Sequence, residues 1–177
     1  MSIPVFLASI LMIGVLSNPH MTSKQITYIY GYPVMLVVDV SGSMGVGYSA
    51  TTPFGHSYTI FNDLISRRGD INFGLLIFST ENYIARYFIN KNELFKDTLE
   101  QIKDIAWISI GTQVPEAMAK ARQLLNDKIY GGDKTIILIT DLDVPAAEWQ
   151  RIVQEMTKSS LENIQVYIIS PDASLTA

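Results

Sequence analysis

A chain of 177 residues, 48% of them hydrophobic, suits one compact α/β domain plus a short appendage, and the composition is globular, not disordered. It has no cysteine, which excludes disulfides, thiolate metal sites and a cysteine nucleophile. A formal net charge of −4, with 13 lysines and arginines that form no stripe, leaves no electrostatic footprint for nucleic acid. The two histidines, His20 and His56, lie in different segments and read as solvated loop residues, not as zinc ligands.

Residues 3–16 (IPVFLASILMIGVL) form a charge-free run of fourteen. That is shorter than the roughly 18–20 residues a helix needs to span a bilayer. Met1 and Ser2 supply no basic start for a secretory signal, and the Val15-Leu16-Ser17 cleavage site is weak. Three readings stay open: a membrane anchor, an atypical signal peptide on a secreted or periplasmic protein, or an apolar helix packed on the domain. The anchor is preferred, because the run stands outside the α/β pattern and has no obvious core to join. The expected organisation is an apolar segment over residues 1–22, a linker over 23–32 and the domain over 33–177.

Regular patterning starts at residues 34–40 (VMLVVDV), an apolar and β-branched run typical of a strand buried on both faces. Gly42, Gly45 and Gly47 break it, and residues 49–55 (SATTPFG) read as a loop. Tyr58, Phe61, Leu64 and Ile65 recur at helical spacing before Arg67. Residues 71–78 (INFGLLIF) are a second strand. Residues 83–89 follow so closely that only an antiparallel edge hairpin fits. Helices are expected over residues 92–105 and 114–125, from apolar residues on one face of each. Residues 135–140 (TIILIT) are the next buried strand. Pro145 opens a helix to about Lys158, and residues 166–169 are the last strand. The pattern predicts a doubly wound, mostly parallel sheet with helices on both faces and one antiparallel edge strand.

In such sheets ligands sit beyond the carboxyl ends of the strands, at the switch point. Asp39-Val40-Ser41-Gly42-Ser43 lies at the end of the first buried strand, and Asp141 at the end of the 135–140 strand. Thr112 stands at the start of the 114–125 helix. Taken singly, these are ordinary: a loop with local hydrogen bonds, a helix N-cap, a strand-end acid. Together they offer carboxylates and hydroxyls only, a hard-oxygen set that suits Mg²⁺, Mn²⁺ or Ca²⁺. Mg²⁺ fits best, because it keeps ordered waters and needs few protein ligands.

Asp-x-Ser-x-Ser, then Thr, then Asp, in this chain order, resembles the metal-ion-dependent adhesion site of the von Willebrand factor A and integrin I-domain family. The likeness runs from about residue 33 to 171 and includes the strand GDINFGLLIFS over residues 69–79. It implies a Rossmann-like fold, and a metal touched by Ser41, Ser43 and Thr112 with Asp39 and Asp141 acting directly or through water. It also implies a partner carboxylate that completes the coordination. The apolar run ahead of the domain is similar to bacterial membrane-anchored members such as the Bat aerotolerance proteins, which implies a MoxR-type AAA ATPase system as partner. Two features depart from the family. Leu142 stands where glycine is usual, which leaves the path of the loop and the role of Asp143 open. The family's last helix is expected to be missing, so the domain is read as C-terminally incomplete.

Arg68-Gly69-Asp70 spells an adhesive tripeptide, but it falls at a helix-to-strand turn that the fold already explains. The expected function is a metal-dependent protein-binding module without enzymatic activity. The alternatives are a phosphatase or hydrolase using Asp39 as nucleophile, for which no general acid is suitably placed, and a structural domain with an unused site.

Overall fold

A strand as uniformly apolar as VMLVVDV must be covered on both faces, and this one lies at the centre of a five-stranded sheet. The computed structural model describes residues 31–45, 51–67, 70–89, 91–103, 111–129 and 132–171. Its elements in chain order are β1 (Tyr32–Asp39), α1 (Pro53–Arg67), β2 (Ile71–Phe78), β3 (Asn82–Ile89), α2 (Asn92–Lys103), α3 (Val114–Lys128), β4 (Lys134–Ile139), α4 (Ala146–Leu161) and β5 (Ile164–Ile169). The strand order is β3-β2-β1-β4-β5. All neighbours are parallel except β2 and β3, which form the expected antiparallel hairpin.

Alternation along β1 assigns the two layers. Val34, Leu36 and Val38 face α1 and α2, packing with Phe54, Phe61, Ile65, Phe95 and Leu99. Met35 and Val37 face α3 and α4, packing with Val114, Met118, Leu125 and Ile152. The domain is therefore a three-layer α/β/α sandwich, as the uninterrupted apolar strands require. On the α1 side the cover thins towards β5, where Tyr167 is 55% exposed and Ile137 and Ile169 are only partly buried.

Several boundaries differ from the sequence reading. β1 begins at Tyr32, inside the expected linker. α1 begins at Pro53, inside the expected loop. There the Thr52 hydroxyl oxygen accepts the Gly55 N–H at 3.1 Å, and Pro53 at the first helical position has no N–H to satisfy. His56 is consequently on a helix and half-buried, its Nδ1 3.4 Å from the Pro171 carbonyl, not on a solvated loop. α4 starts at Ala146 with Pro145 as its N-cap, and runs to Leu161 before Asn163 turns the chain at φ 57°. The 1–22 segment, the linker up to residue 30, His20 and the Arg68-Gly69 pair lie outside the described residues.

Candidate functional site

β1 and β4 are neighbours, with Val38 level with Ile139, so their carboxyl ends emerge side by side. β1 also pairs with β2 on its other side. The chain leaves β1 in one direction and β4 in the other, which makes this gap the switch point of the sheet. Asp39 is the last residue of β1 and is fully buried. The Ser41 backbone N–H donates to its Oδ1 at 2.8 Å. The Thr140 hydroxyl donates to its Oδ2 at 2.6 Å. Among the described residues no basic side chain pairs with it. Burial pushes the Asp39 pKa above the ordinary value of 3.8; hydrogen bonds from Thr140 and Ser41 act against this, and the nearby Asp141 charge adds to it.

After Asp39 the chain makes a single 3-10 turn over Gly42–Met44, closed by the Met44 N–H donating to the Ser41 carbonyl at 3.1 Å. This turn brings the Ser41 and Ser43 hydroxyl oxygens to 3.0 Å from each other. Met44, buried in the α1-side core, pins the turn from below. Ser41 and Ser43 line an open depression of about 430 Å³ with Gly42, Gly111, Thr112, Asp143, Pro145 and Glu148.

Thr112 reaches that depression from the opposite side. It precedes the N-cap of α3, which is Gln113, so Thr112 does not open the helix as its sequence position suggested. The Gln113 N–H donates to the Ser79 carbonyl at 2.9 Å, tying this segment to the end of β2. Gly111 supplies φ 122° just before it, a conformation that side-chain-bearing residues rarely adopt. A Cβ there would also lie 3.0 Å from Thr80 Cγ2. Residues 104–110, which precede this segment, lie outside the described residues.

Asp141 is half-buried, close enough to Asp39 to act on its charge, but it does not line the depression. Its Oδ1 accepts the Asp143 N–H at 3.2 Å. Leu142 between them adopts φ 59°, the left-handed conformation in which glycine would be free of strain. The loop therefore follows a glycine-like path despite the leucine. That path is held by the Leu142 N–H donating to the Thr140 hydroxyl at 3.1 Å, and by the Val144 N–H donating to the Leu142 carbonyl at 2.7 Å. Asp143 ends on the wall of the depression.

The structure thus gathers Ser41, Ser43 and Thr112 around one depression, with Asp39 buried beside Ser41 and Asp141 near Asp39. Sequence reasoning missed Thr140, which links Asp39 to the Leu142 turn and was counted only as a strand residue. Its register beside Asp39 was the available signal. Glu148 was also missed, because acids in the first turn of a helix are common for dipole reasons alone. Among the described residues no group of three or more His, Cys, Asp or Glu could hold a metal. A cation here would depend on hydroxyls, two carboxylates and water. That donor chemistry fits a hard ion such as Mg²⁺ and not a zinc site.

A doubly wound α/β domain with hydroxyls and acids at the switch point is the class that this fold and site define. Residues 34–143 match the von Willebrand factor type A domain family, and the chain belongs to that family. It is similar to a conserved hypothetical protein, BatB, from Bacteroides thetaiotaomicron, with 20% identity and a TM-score of 0.66, covering 79% of this chain and 66% of that one. An aerotolerance-related membrane protein from Bacteroides fragilis gives 21% identity and a TM-score of 0.66, covering 79% and 67%. The manganese-loaded TRAP protein from Plasmodium vivax gives 19%, 0.67, 80% and 57%. At these identities the likeness concerns the fold alone, and the chain spans about two thirds or less of each neighbour's length. A comparison with curated proteins finds no match.

Proposed function

We propose that this domain is a metal-dependent protein-binding module. Asp39, Ser41, Ser43, Thr112 and Asp141 would hold a Mg²⁺-type ion, with Mn²⁺ or Ca²⁺ as alternatives. One observation carries the reading: Asp39 is fully buried among neutral donors, near a second carboxylate, and is bonded to Ser41, which itself lines a depression shared with Ser43 and Thr112. Among the described residues the charge that acts on Asp39 is that of another acid, and a buried carboxylate so placed is costly unless a cation offsets it. When bound, the ion supplies positive charge and open coordination positions that a carboxylate from another protein can occupy.

The chain's own residues do the positioning. The Ser41 amide and the Thr140 hydroxyl fix both Asp39 oxygens, so that carboxylate cannot rotate away. The same locking disfavours the phosphatase alternative. A nucleophilic Asp39 would have to reach substrate, yet it is 0% exposed and both its oxygens already accept hydrogen bonds. The non-enzymatic reading is proposed on that ground.

Mg²⁺ is expected to raise the melting temperature, and EDTA to reverse the rise. Ser41→Ala combined with Ser43→Ala should abolish the shift and keep the fold, because neither residue belongs to the hydrophobic clusters. An unchanged shift in the double variant, read by differential scanning fluorimetry with circular dichroism as the fold control, would sink the ligand assignment.

Membrane association is part of the same proposal, with a MoxR-type AAA ATPase as the partner class that the family resemblance implies. It rests on the charge-free run of residues 3–16 and on the likeness to an aerotolerance-related membrane protein. Among the described residues no helix is long and apolar enough to cross a membrane. The full chain should sediment with membranes, and deletion of residues 1–22 should release a soluble domain. A full chain that stays in the supernatant with its first residues unprocessed would refute the anchor.

A further inference from the structure

The depression has a second chemical feature besides its hydroxyls. Among the described residues its charged lining consists of Asp143 and Glu148, both acids. Glu148 Oε2 is shielded from solvent and accepts no hydrogen bond. A first-turn acid on α4 explains why Glu148 is present, but not why one of its oxygens is left unpartnered at the wall of a depression. The nearby Arg151 is committed across the helix pair to Glu116. In the proposed metal-loaded state, the two charges of a divalent ion match those of Asp39 and Asp141. Among the described residues Asp143 has no ion pair, and Glu148 shares the field of Arg151, which is already bonded to Glu116. A partner bringing only a carboxylate would meet these two acids beside its landing point.

We infer that Asp143 and Glu148 make the site select a protein segment whose metal-seeking carboxylate is flanked by lysine or arginine. This rests on the metal-dependent reading above and deepens it. The ion takes the partner's acid, while the negative field of Asp143 and Glu148 takes its cations. Such a pair of opposite contacts discriminates in both directions, because an acid without basic neighbours is repelled.

The test uses two synthetic peptides, Gly-Lys-Gly-Glu-Gly-Lys-Gly and the same peptide with glutamine in place of both lysines. Fluorescence anisotropy would measure their binding to the full chain in Mg²⁺. At low ionic strength the lysine peptide should bind about tenfold tighter, and the preference should shrink at about 0.5 M salt, where screening is short-ranged. Asp143→Asn with Glu148→Gln should bring the two peptides to within about twofold. The Mg²⁺-induced melting shift should be kept in that variant. Equal binding of the two peptides to the unaltered chain would overturn the inference, as would a preference that survives in the variant. So would failure of either peptide to bind at millimolar concentration while Mg²⁺ still raises the melting temperature. Absence of any Mg²⁺ shift in the unaltered chain would be the distinct failure of the metal reading, and the inference would fall with it.

Discussion

Replacing Asp39 by asparagine is expected to stabilise the metal-free domain at neutral pH and to abolish its response to Mg²⁺. Burial is the main reason the Asp39 pKa lies above 3.8, and the Asp141 charge adds to it. The folded state therefore favours the neutral acid. The stability this contributes is complete below pH 3.8 and is lost as pH rises through the folded pKa. Asparagine keeps a neutral side chain at every pH, so it avoids that loss. The geometry survives, because the amide oxygen still accepts the Ser41 N–H and the Thr140 hydroxyl can turn to accept the new N–H₂. Mg²⁺ has the opposite pH dependence, since it binds the ionised acid, so its stabilisation should grow as pH rises through the same range. At a hundredfold excess over Kd the ion contributes about 2.7 kcal/mol, or roughly 5–10 °C for a domain of this size. Melting curves from pH 4 to 8 in EDTA and in Mg²⁺ would check both trends. A variant that melts lower than the unaltered chain in EDTA at pH 7 would contradict the buried-charge account.

Most of the fold was legible because the strands are almost purely apolar. VMLVVDV, INFGLLIF and TIILIT leave no polar face, so each had to be an interior strand. The short connection before Asn82 forced the hairpin. The switch point followed from the parallel order, which put Asp39 and Asp141 at adjacent strand ends. Helix starts were less legible. Pro53 and Gly55 resemble loop residues, and only the Thr52 oxygen on the Gly55 N–H shows that a helix has begun. Thr112 resembles an N-cap, but the tie between Gln113 and Ser79 puts the helix start one residue further on. Both outcomes depend on individual hydrogen bonds, which leave no periodic trace.

The site was legible in its residue types and illegible in its walls. Spacing alone singled out two acids and three hydroxyls. It did not reveal that Thr140 would bridge Asp39 and the Leu142 amide, nor that α4 would place Glu148 on the same depression as Asp143. Leu142 is the instructive case. Its identity left the path of the turn open, and the hydrogen bonds on either side of it accompany φ 59°. A left-handed leucine costs about 1–2 kcal/mol, so strain is held next to the acid that the proposed site uses.

Phe78→Ala is expected to give the largest loss of stability and to weaken the site as well. Phe78 is fully buried against α3, in the same cluster as Val114, Ala117 and Met118. Truncating such a ring costs about 3–5 kcal/mol, which is about 6–20 °C of melting temperature in a domain this large. The consequence for the site comes from the backbone beside it. The Phe78 carbonyl accepts the Val40 N–H at 2.9 Å, holding the segment between Asp39 and Ser41. The next carbonyl, that of Ser79, accepts the Gln113 N–H and holds the segment of Thr112. Both halves of the candidate site therefore hang on the end of β2, and the Phe78 ring fixes that end against α3. A cavity there loosens the distance between Ser41 and Thr112, so the Mg²⁺-induced stabilisation, measured by denaturant titration with and without the ion, should fall along with the global stability. Tyr83→Ala is the control. Tyr83 belongs to the same hairpin but is 55% exposed, and its loss should stay within about 0.5 kcal/mol. A Phe78→Ala variant that loses under about 1 kcal/mol would contradict the packing. One that unfolds earlier yet keeps its full Mg²⁺ increment would show that the end of β2 is not what holds the two halves together.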